Sequence, residues 1–578
     1  MIEFAELSQR IWDAKYRWRD GGVVRDATIQ DSWRRIAHAL ASVEQDSRWE
    51  ESFYAALENF RFLPGGRIQA GAGTGHNVTL FNCFVMGAIE DSMPGIFEAL
   101  KEGALTMQQG GGVGYDFSTL RPAGTPAQGV GMIASGPVSF MRIWDSMCAT
   151  ILSTGARRGA MMGTLRCDHP DIVAFIDAKR DEHEFRNFNL SVLVSDAFMA
   201  AVAQDDDWAL RFPGDGPVYK QLKARELWQR IMRAAYDCAE PGVIFINRVN
   251  HSNNLAYCET LHATNPCGEV PLPAYGACDL GSINLSQFVE HPFTPQARLD
   301  LAGIEHTAAV ATRMLDNVYD LSHFPLSQQR EVAHASRRIG LGLTGLADAC
   351  IMLNVRYGTQ QSWQLSESIM RTICHSAYQT SIALAQEKGA FPLFRAQEYL
   401  HSAFIQSLPE NIRQGIAQSG IRNSHLTSIA PAGTISLLAN TVSSGLEPVF
   451  AYNYLRKIRQ ADGSLQELAV SDYAWRLFRN TCGSTAALPP SFVKASEVGA
   501  QAQLEMQAVL QKYVDNSISK TVTLNAECGF EAFASLYDQA YALGLKGCTA
   551  FRPNPVTGQV LEEVDMEKQC CSLEREAD

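Results

Sequence analysis

The chain has 578 residues, of which 46% are apolar and 19% charged, a composition suited to one large folded core with smaller attachments. Its formal net charge of −13 argues against a nucleic-acid backbone or an anionic membrane as the main partner, since both call for clustered cations. Fourteen cysteines over this length are too dilute for a disulfide scaffold and include no C-x-x-C pair, so most are expected to be small buried hydrophobes, and no metal site is expected.

Residues 1–60 read as a helical lead-in. Phe4, Leu7, Ile11 and Trp12 recur at helical spacing, as do Trp33, Ile36, Ala37 and Leu40. The opening MIEFAELSQRIWDAKY carries acids where a signal peptide would be basic and then apolar, and no apolar run reaches membrane-spanning length; a cytoplasmic chain is expected. From Phe62 the texture changes to glycine-rich turns between short apolar runs, one of which, FNCFVM, contains Cys83. Helical stretches then alternate with the strand candidates FNLSVLV, GVIFI, HLTSIAP and TVTL, which indicates an α/β architecture. His169 in RCDHPDI has no second histidine at ligand spacing and reads as structural.

The run Asn265-Pro266-Cys267-Gly268-Glu269 packs an amide, a thiol and a carboxylate between turn-forming residues, which favours a tight loop whose alternate side chains converge. On its own it reads equally as a surface turn with a buried cysteine. Cys278 follows in AYGACDLGSINLS. With Cys83 it makes a set suited to a reaction in which one thiol carries a hydrogen atom and two others supply electrons by becoming a disulfide. Gly340-Leu341-Gly342-Leu343-Thr344-Gly345 matches the dinucleotide fingerprint, but a helix rather than a strand is expected before it, so it reads as helix packing. Ala432-Gly433-Thr434-Ile435-Ser436, after a strand candidate and before a helix, presents N–H groups suited to a diphosphate. The end, 553–578, is charged and reads as a flexible tail, in which Cys570 and Cys571 would re-reduce an internal disulfide.

The blocks FNCFV, GGGVGYDFSTLRPAG, GARRGAMMGTLRCDHPDI, NPCGE, DLGSINLSQFV, RRIGLGLTGLAD, SIAPAGTIS and SISKTVTL, in one chain, resemble ribonucleotide reductase large subunits. The likeness is strongest to the adenosylcobalamin-dependent class II enzymes and runs from about residue 60 to 552. It implies a ten-stranded α/β barrel over 61–552 with a central finger loop carrying Cys267. In that resemblance Cys267 is the thiyl site, Cys83 and Cys278 are the reducing pair, Glu269 and Asn265 flank the ribose, and residues 432–436 hold the substrate diphosphate. Asp91, Ser92, Arg121 and Arg158 fall where the family binds a dNTP or ATP specificity effector at a homodimer contact. A thioredoxin or similar dithiol would be the reductant.

The resemblance also bears on the radical source. Class I enzymes use two adjacent tyrosines in a block like K-T-x-Y-Y, where this chain has Lys546-Gly547-Cys548-Thr549-Ala550-Phe551-Arg552. The glycyl motif and four-cysteine site of class III are absent from the tail, which leaves adenosylcobalamin. Two departures stand out: the tail cysteines are adjacent, and residues 1–60 leave no room for the ATP-cone of many relatives, so specificity control without overall on/off control is expected. The competing readings are a class I-type large subunit needing a radical-generating partner, and a catalytically silent nucleotide-binding regulator on the same barrel.

Overall fold

The computed structural model describes residues 4–126, 133–151, 159–181, 183–459 and 465–553. The lead-in forms three helices, α1 (Glu6–Ile11), α2 (Ile29–Ala41) and α3 (Arg48–Leu57). At the start of α2, Thr28 and Asp31 satisfy each other's backbone N–H groups in a capping box. The helix buries Trp33, Ile36, Ala37 and Leu40, the stripe its spacing implies. Beyond α1 the backbone widens into one π turn, Trp12–Tyr16.

Five strands run parallel: β1 (Cys83–Val85), β2 (Gly112–Asp116), β3 (Met161–Arg166), β4 (Phe188–Val194) and β5 (Gly242–Phe245). A second parallel set contains β6 (Ala277–Asn284) beside β7 (Ile339–Thr344), and β8 (Thr521–Thr523) beside β9 (Gly547–Phe551). The two sets meet antiparallel at β1/β6 and at β5/β9.

These nine strands leave one gap, between β7 and β8. Residues 425–429, within the strand candidate HLTSIAP, fill it as a tenth stave. Ile339 and Leu341 N–H donate to His425 O and Leu426 O at 3.0 and 2.8 Å, while Ile429 N–H donates to Ser517 O at 3.2 Å and Ser519 N–H returns to Ile429 O at 2.9 Å. Bridges on both sides are parallel, so the ring closes as two five-stranded halves of opposite direction. Asp515 ties the closure, its carboxylate accepting from Leu426 N–H, Thr427 N–H and the Tyr378 hydroxyl at 2.7–2.9 Å.

The closure explains the GLGL run. Gly340 and Gly342 lie within β7 itself, which corrects the reading of this motif as helix packing: a helix, Ser327–Ser336, does precede it, but the glycines are sheet residues. A Cβ on Gly342 would sit 2.1 Å from Ser428 O, so only glycine lets residues 425–429 pair this closely. Helices α4 (Met93–Gln108), α5 (Pro137–Thr150), α6 (Leu301–Leu321) and α7 (Gln360–Lys388) lie outside the ring. With helices outside and a loop inside, every residue of β6 and β7 is buried. Among the described residues no helix is long and apolar enough to cross a membrane.

Candidate active site

The loop inside is a hairpin. Ala263–Thr264 pairs antiparallel with Pro271–Leu272, and the turn between them carries Asn265 to Val270. The barrel makes room for it with glycines: a Cβ on Gly114 would lie 1.8 Å from Thr264 O, and one on Gly112 would lie 3.1 Å from the Pro266 ring. Within the turn, Asn265 Oδ1 accepts from Val270 N–H at 2.9 Å and Asn265 O accepts from Gly268 N–H at 3.1 Å. Gly268 has φ +82°, a left-handed conformation that turns the chain back and that a side chain there would strain. The barrel wall holds the turn from both halves: Asn189 Nδ2 on β4 donates to Pro266 O at 2.8 Å, and Glu269 O accepts from Ser517 N–H at 2.9 Å and Ser428 Oγ at 3.0 Å.

Three of the expected residues meet at one sulfur. Asn265 Nδ2 lies 3.2 Å from Cys83 Sγ, and Cys83 Sγ lies 3.9 Å from Glu269 Oε1. Cys83 and Cys278 are Cα partners across β1 and β6. Opposed residues of an antiparallel pair have Cα atoms roughly 4.5–5.5 Å apart, inside the range of about 4.4–6.8 Å that a disulfide spans. The two are not joined as a disulfide here. They sit with Val85, Ala263, Val270, Leu272 and Leu280 in a buried apolar cluster, and burial pushes the Cys278 thiol well above its ordinary range, keeping it protonated. Asn265, Glu269, Cys83 and Cys278 are all buried, whereas Cys267 at the apex is half-buried.

Downstream of residues 425–429, Ala432 takes φ +55° and caps the short helix α8 (Gly433–Leu438). The first N–H groups of a helix, here those of Gly433, Thr434 and Ile435, have no intrahelical acceptor. Ser436 Oγ is used inside the loop, donating to Gly433 O at 2.8 Å and meeting Ser444 Oγ at 2.9 Å. Thr434 Oγ1 lies 3.3 Å from Lys15 Nζ on the π turn. Helix α1 packs on α8, with Ser8 Oγ donating to Leu437 O at 2.6 Å.

A third group lies on the outer face of the barrel. Arg121 Nε donates to Asp91 Oδ2 at 2.7 Å, and Ser92 Oγ, the N-cap of α4, accepts from Gly95 N–H at 3.1 Å. Arg158, Cys570 and Cys571 lie outside the described residues. His169 is buried and structural, as its isolation suggested: Nε2 meets Leu120 O at 2.9 Å and Nδ1 accepts from Asp171 N–H at 3.0 Å. Sequence reasoning missed Asn189, Ser428 and Ser517. The only local signal for Asn189 was a polar residue at an inward position of the apolar run FNLSVLV.

The closed ten-stave barrel encloses a finger with Cys267 at its apex, and Cys83 and Cys278 lie paired across two neighbouring strands of its wall, the arrangement of a large α/β-barrel protein with thiols in its interior. Residues 81–551 match the family model "Ribonucleotide reductase, barrel domain", and residues 2–77 match "Ribonucleotide reductase, all-alpha domain". The chain is 37% identical over 549 residues to the vitamin B12-dependent ribonucleoside-diphosphate reductase of Mycobacterium tuberculosis strain CDC 1551 / Oshkosh, covering 92% of this chain and 76% of the relative. To the Thermoplasma acidophilum protein of the same description it is 36% identical, over 88% of this chain and 66% of the relative. To the ribonucleoside-diphosphate reductase subunit alpha of Chlamydia muridarum it is 24% identical, over 98% and 60%. The chain belongs to the ribonucleotide reductase family.

Proposed function

We propose that this chain reduces ribonucleoside diphosphates to 2′-deoxyribonucleoside diphosphates for DNA synthesis, by a thiyl-radical mechanism with adenosylcobalamin as radical source. The observation that carries this is the half-open Cys267 apex beside buried Asn265 and Glu269 and the opposed thiols of Cys83 and Cys278. A thiyl radical at Cys267 takes the ribose 3′ hydrogen. Glu269 accepts the 3′-hydroxyl proton, with Asn265 beside it, and a thiol of the buried pair protonates the departing 2′-hydroxyl, which leaves as water. Cys83 and Cys278 become a disulfide: one thiol's proton leaves in the water and the other thiol's hydrogen forms the new C2′–H bond, so the pair gives up the two electrons that the sugar gains. Glu269 returns its proton to the 3′ oxygen, and Cys267 gives its hydrogen back to the 3′ carbon, which re-forms the C–H bond and regenerates the thiyl radical. The raised Cys278 thiol suits this role, because the pair must carry its protons to the substrate.

The cofactor assignment follows the named relatives, which are vitamin B12-dependent, and the residues present fit it at the finger tip. Cys267 is the least buried side chain of the set, and β9 carries Thr549, Ala550 and Phe551, with no tyrosine to relay a radical from another subunit. Adenosylcobalamin supplies a carbon-centred radical by homolysis, the kind of chemistry that a protein delegates to a cofactor. These features disfavour a class I-type subunit, and the intact reacting positions disfavour a silent regulator.

Residues 432–436 hold the substrate diphosphate by backbone N–H groups, with Ser436 bracing the loop. The Asp91, Ser92 and Arg121 cluster, with Arg158, binds the specificity effector across a homodimer contact. Beside the cluster, α4 exposes Met93 and Phe97 one turn apart and α5 exposes Ile143, an apolar patch suited to a second copy. Residues 1–60 are a helical segment supporting the 61–552 barrel, and the tail 553–578 passes electrons from a thioredoxin-type dithiol through Cys570 or Cys571 in the cytoplasm. The test is anaerobic incubation of the purified chain with cytidine diphosphate, adenosylcobalamin and a dithiol. Deoxycytidine diphosphate is expected without any metal-containing subunit; product formed only after such a subunit is added would overturn the reading.

A further inference from the structure

The apex that carries Cys267 is held by unequal anchors. On the Glu269 side, Ser517 N–H and Ser428 Oγ share one carbonyl, so losing either leaves a donor. On the Pro266 side, the carbonyl directly before Cys267 is held, among the described residues, by the side chain of Asn189 alone. Between the two anchors lies Gly268, whose missing side chain leaves the backbone free to turn. Asn189 is also the one exposed residue of β4: Phe188 and Leu190 on either side are buried, and the rest of the strand with them. A polar side chain facing the open interior, where an apolar one would fill the wall, has its amide on the finger.

We propose that Asn189 is a positioning residue for the hydrogen-transferring thiol. Its amide fixes the Pro266 carbonyl, and through that peptide the direction in which the Cys267 sulfur points. The inference rests on the role assigned to Cys267 above. Hydrogen-atom transfer needs near-contact alignment of donor and acceptor, and a displacement of about 1 Å at a reacting centre costs about 10²-fold in rate.

Asn189→Ala and Asn189→Asp remove the donor, the second while keeping the size and polarity of the side chain. For both, kcat with cytidine diphosphate is expected to fall by about 10²-fold with KM within about twofold. The isotope effect from 3′-deuterated substrate should rise as hydrogen transfer becomes limiting. In the cofactor-free chain, peptide mapping should show Cys267 alkylated by iodoacetamide several-fold faster than in the parent. A changed KM with unchanged kcat would make Asn189 a substrate contact and overturn the proposal. So would a fall in kcat with parental Cys267 labelling and isotope effect, which marks a structural role. If the alanine variant does not fold, the same readouts on Asn189→Asp decide. Cys267→Ala separates the layers: if it keeps turnover, the underlying reading fails, whereas if it abolishes turnover and Asn189→Asp matches the parent, only the positioning role fails.

Discussion

Two turns of nearly the same composition, Pro266-Cys267-Gly268 in the finger and Pro431-Ala432-Gly433 before α8, divide their work in opposite ways. In the finger the backbone is consumed: Pro266 O and Glu269 O are bound to the wall, and the side chains of Asn265 and Glu269 converge on Cys83. In the second turn the Ser436 side chain is consumed, on Gly433 O and Ser444, while the N–H groups at the helix start have no intrahelical acceptor and are the groups proposed to hold the diphosphate. Small turn-forming residues make either arrangement possible. What the surrounding structure anchors decides whether the chemistry falls to side chains or to the backbone.

The contrast breaks first at the finger, where a single atom should matter most. Cys267→Ala is expected to reduce deoxynucleotide formation by at least about 10⁴-fold, because removing one member of a group that acts as a unit removes nearly the whole effect. Product chromatography after long anaerobic incubation measures this, and turnover above a few per cent of the parent would remove the finger from the chemistry. Glu269→Gln keeps the shape and loses the base, for an expected fall of about 10²–10⁴-fold in kcat. A variant matching the parent across neutral pH would assign that proton transfer to another group.

The thiol pair beside the finger is buried among apolar side chains, and this sharpens the contrast through pH. Burial raises the Cys278 thiol, so folding favours its neutral form. The resulting stability is fully present below the ordinary thiol pKa of about 8.5 and is lost as pH rises above it. Over alkaline pH the urea-unfolding stability of Cys278→Ala should therefore fall off less steeply than that of the parent; equal slopes would mean that the folded thiol ionises as readily as the unfolded one.

The side chains proposed to react were legible in the sequence because they cluster locally: NPCGE is five adjacent residues, and Cys83 and Cys278 sit in short runs with strand character. The alternation of helices and strands likewise indicated the fold class. The anchors were not legible, because each joins distant segments: Asn189 reaches Pro266 across 77 positions, and Ser428 reaches Glu269 across 159. The GLGL run shows the same limit. Its glycines answer to a stave supplied some 85 residues later, by Ser428, and a local reading has no access to that contact. The packing of α1 against α8, with Lys15 beside Thr434 across 419 positions, left no trace in either segment.

At the second turn substitutions should act weakly and on binding. Ser436→Ala removes the brace on the loop but no group proposed to touch substrate. A typical buried hydrogen bond contributes about 1 kcal/mol, so KM for cytidine diphosphate is expected to rise about fivefold with kcat retained. A large fall in kcat would place the hydroxyl in the chemistry.

The smallest effect belongs to Ala432, held at φ +55°. Glycine there would relieve a left-handed strain of about 1 kcal/mol, but the unfolded chain would gain nearly as much backbone freedom, so the urea midpoint should stay nearly constant. The native loop would nevertheless lose preorganisation, since glycine also populates extended conformations that swing the N–H groups of Gly433 and Thr434 away from a common focus. Ala432→Gly should therefore raise KM about two- to threefold at unchanged stability, equivalent to about 0.5 kcal/mol of ordering moved from the folded chain to the binding step. An unchanged KM with a higher urea midpoint would show that the left-handed residue shapes the fold alone, and the division of labour between the two turns would then hold for the finger only.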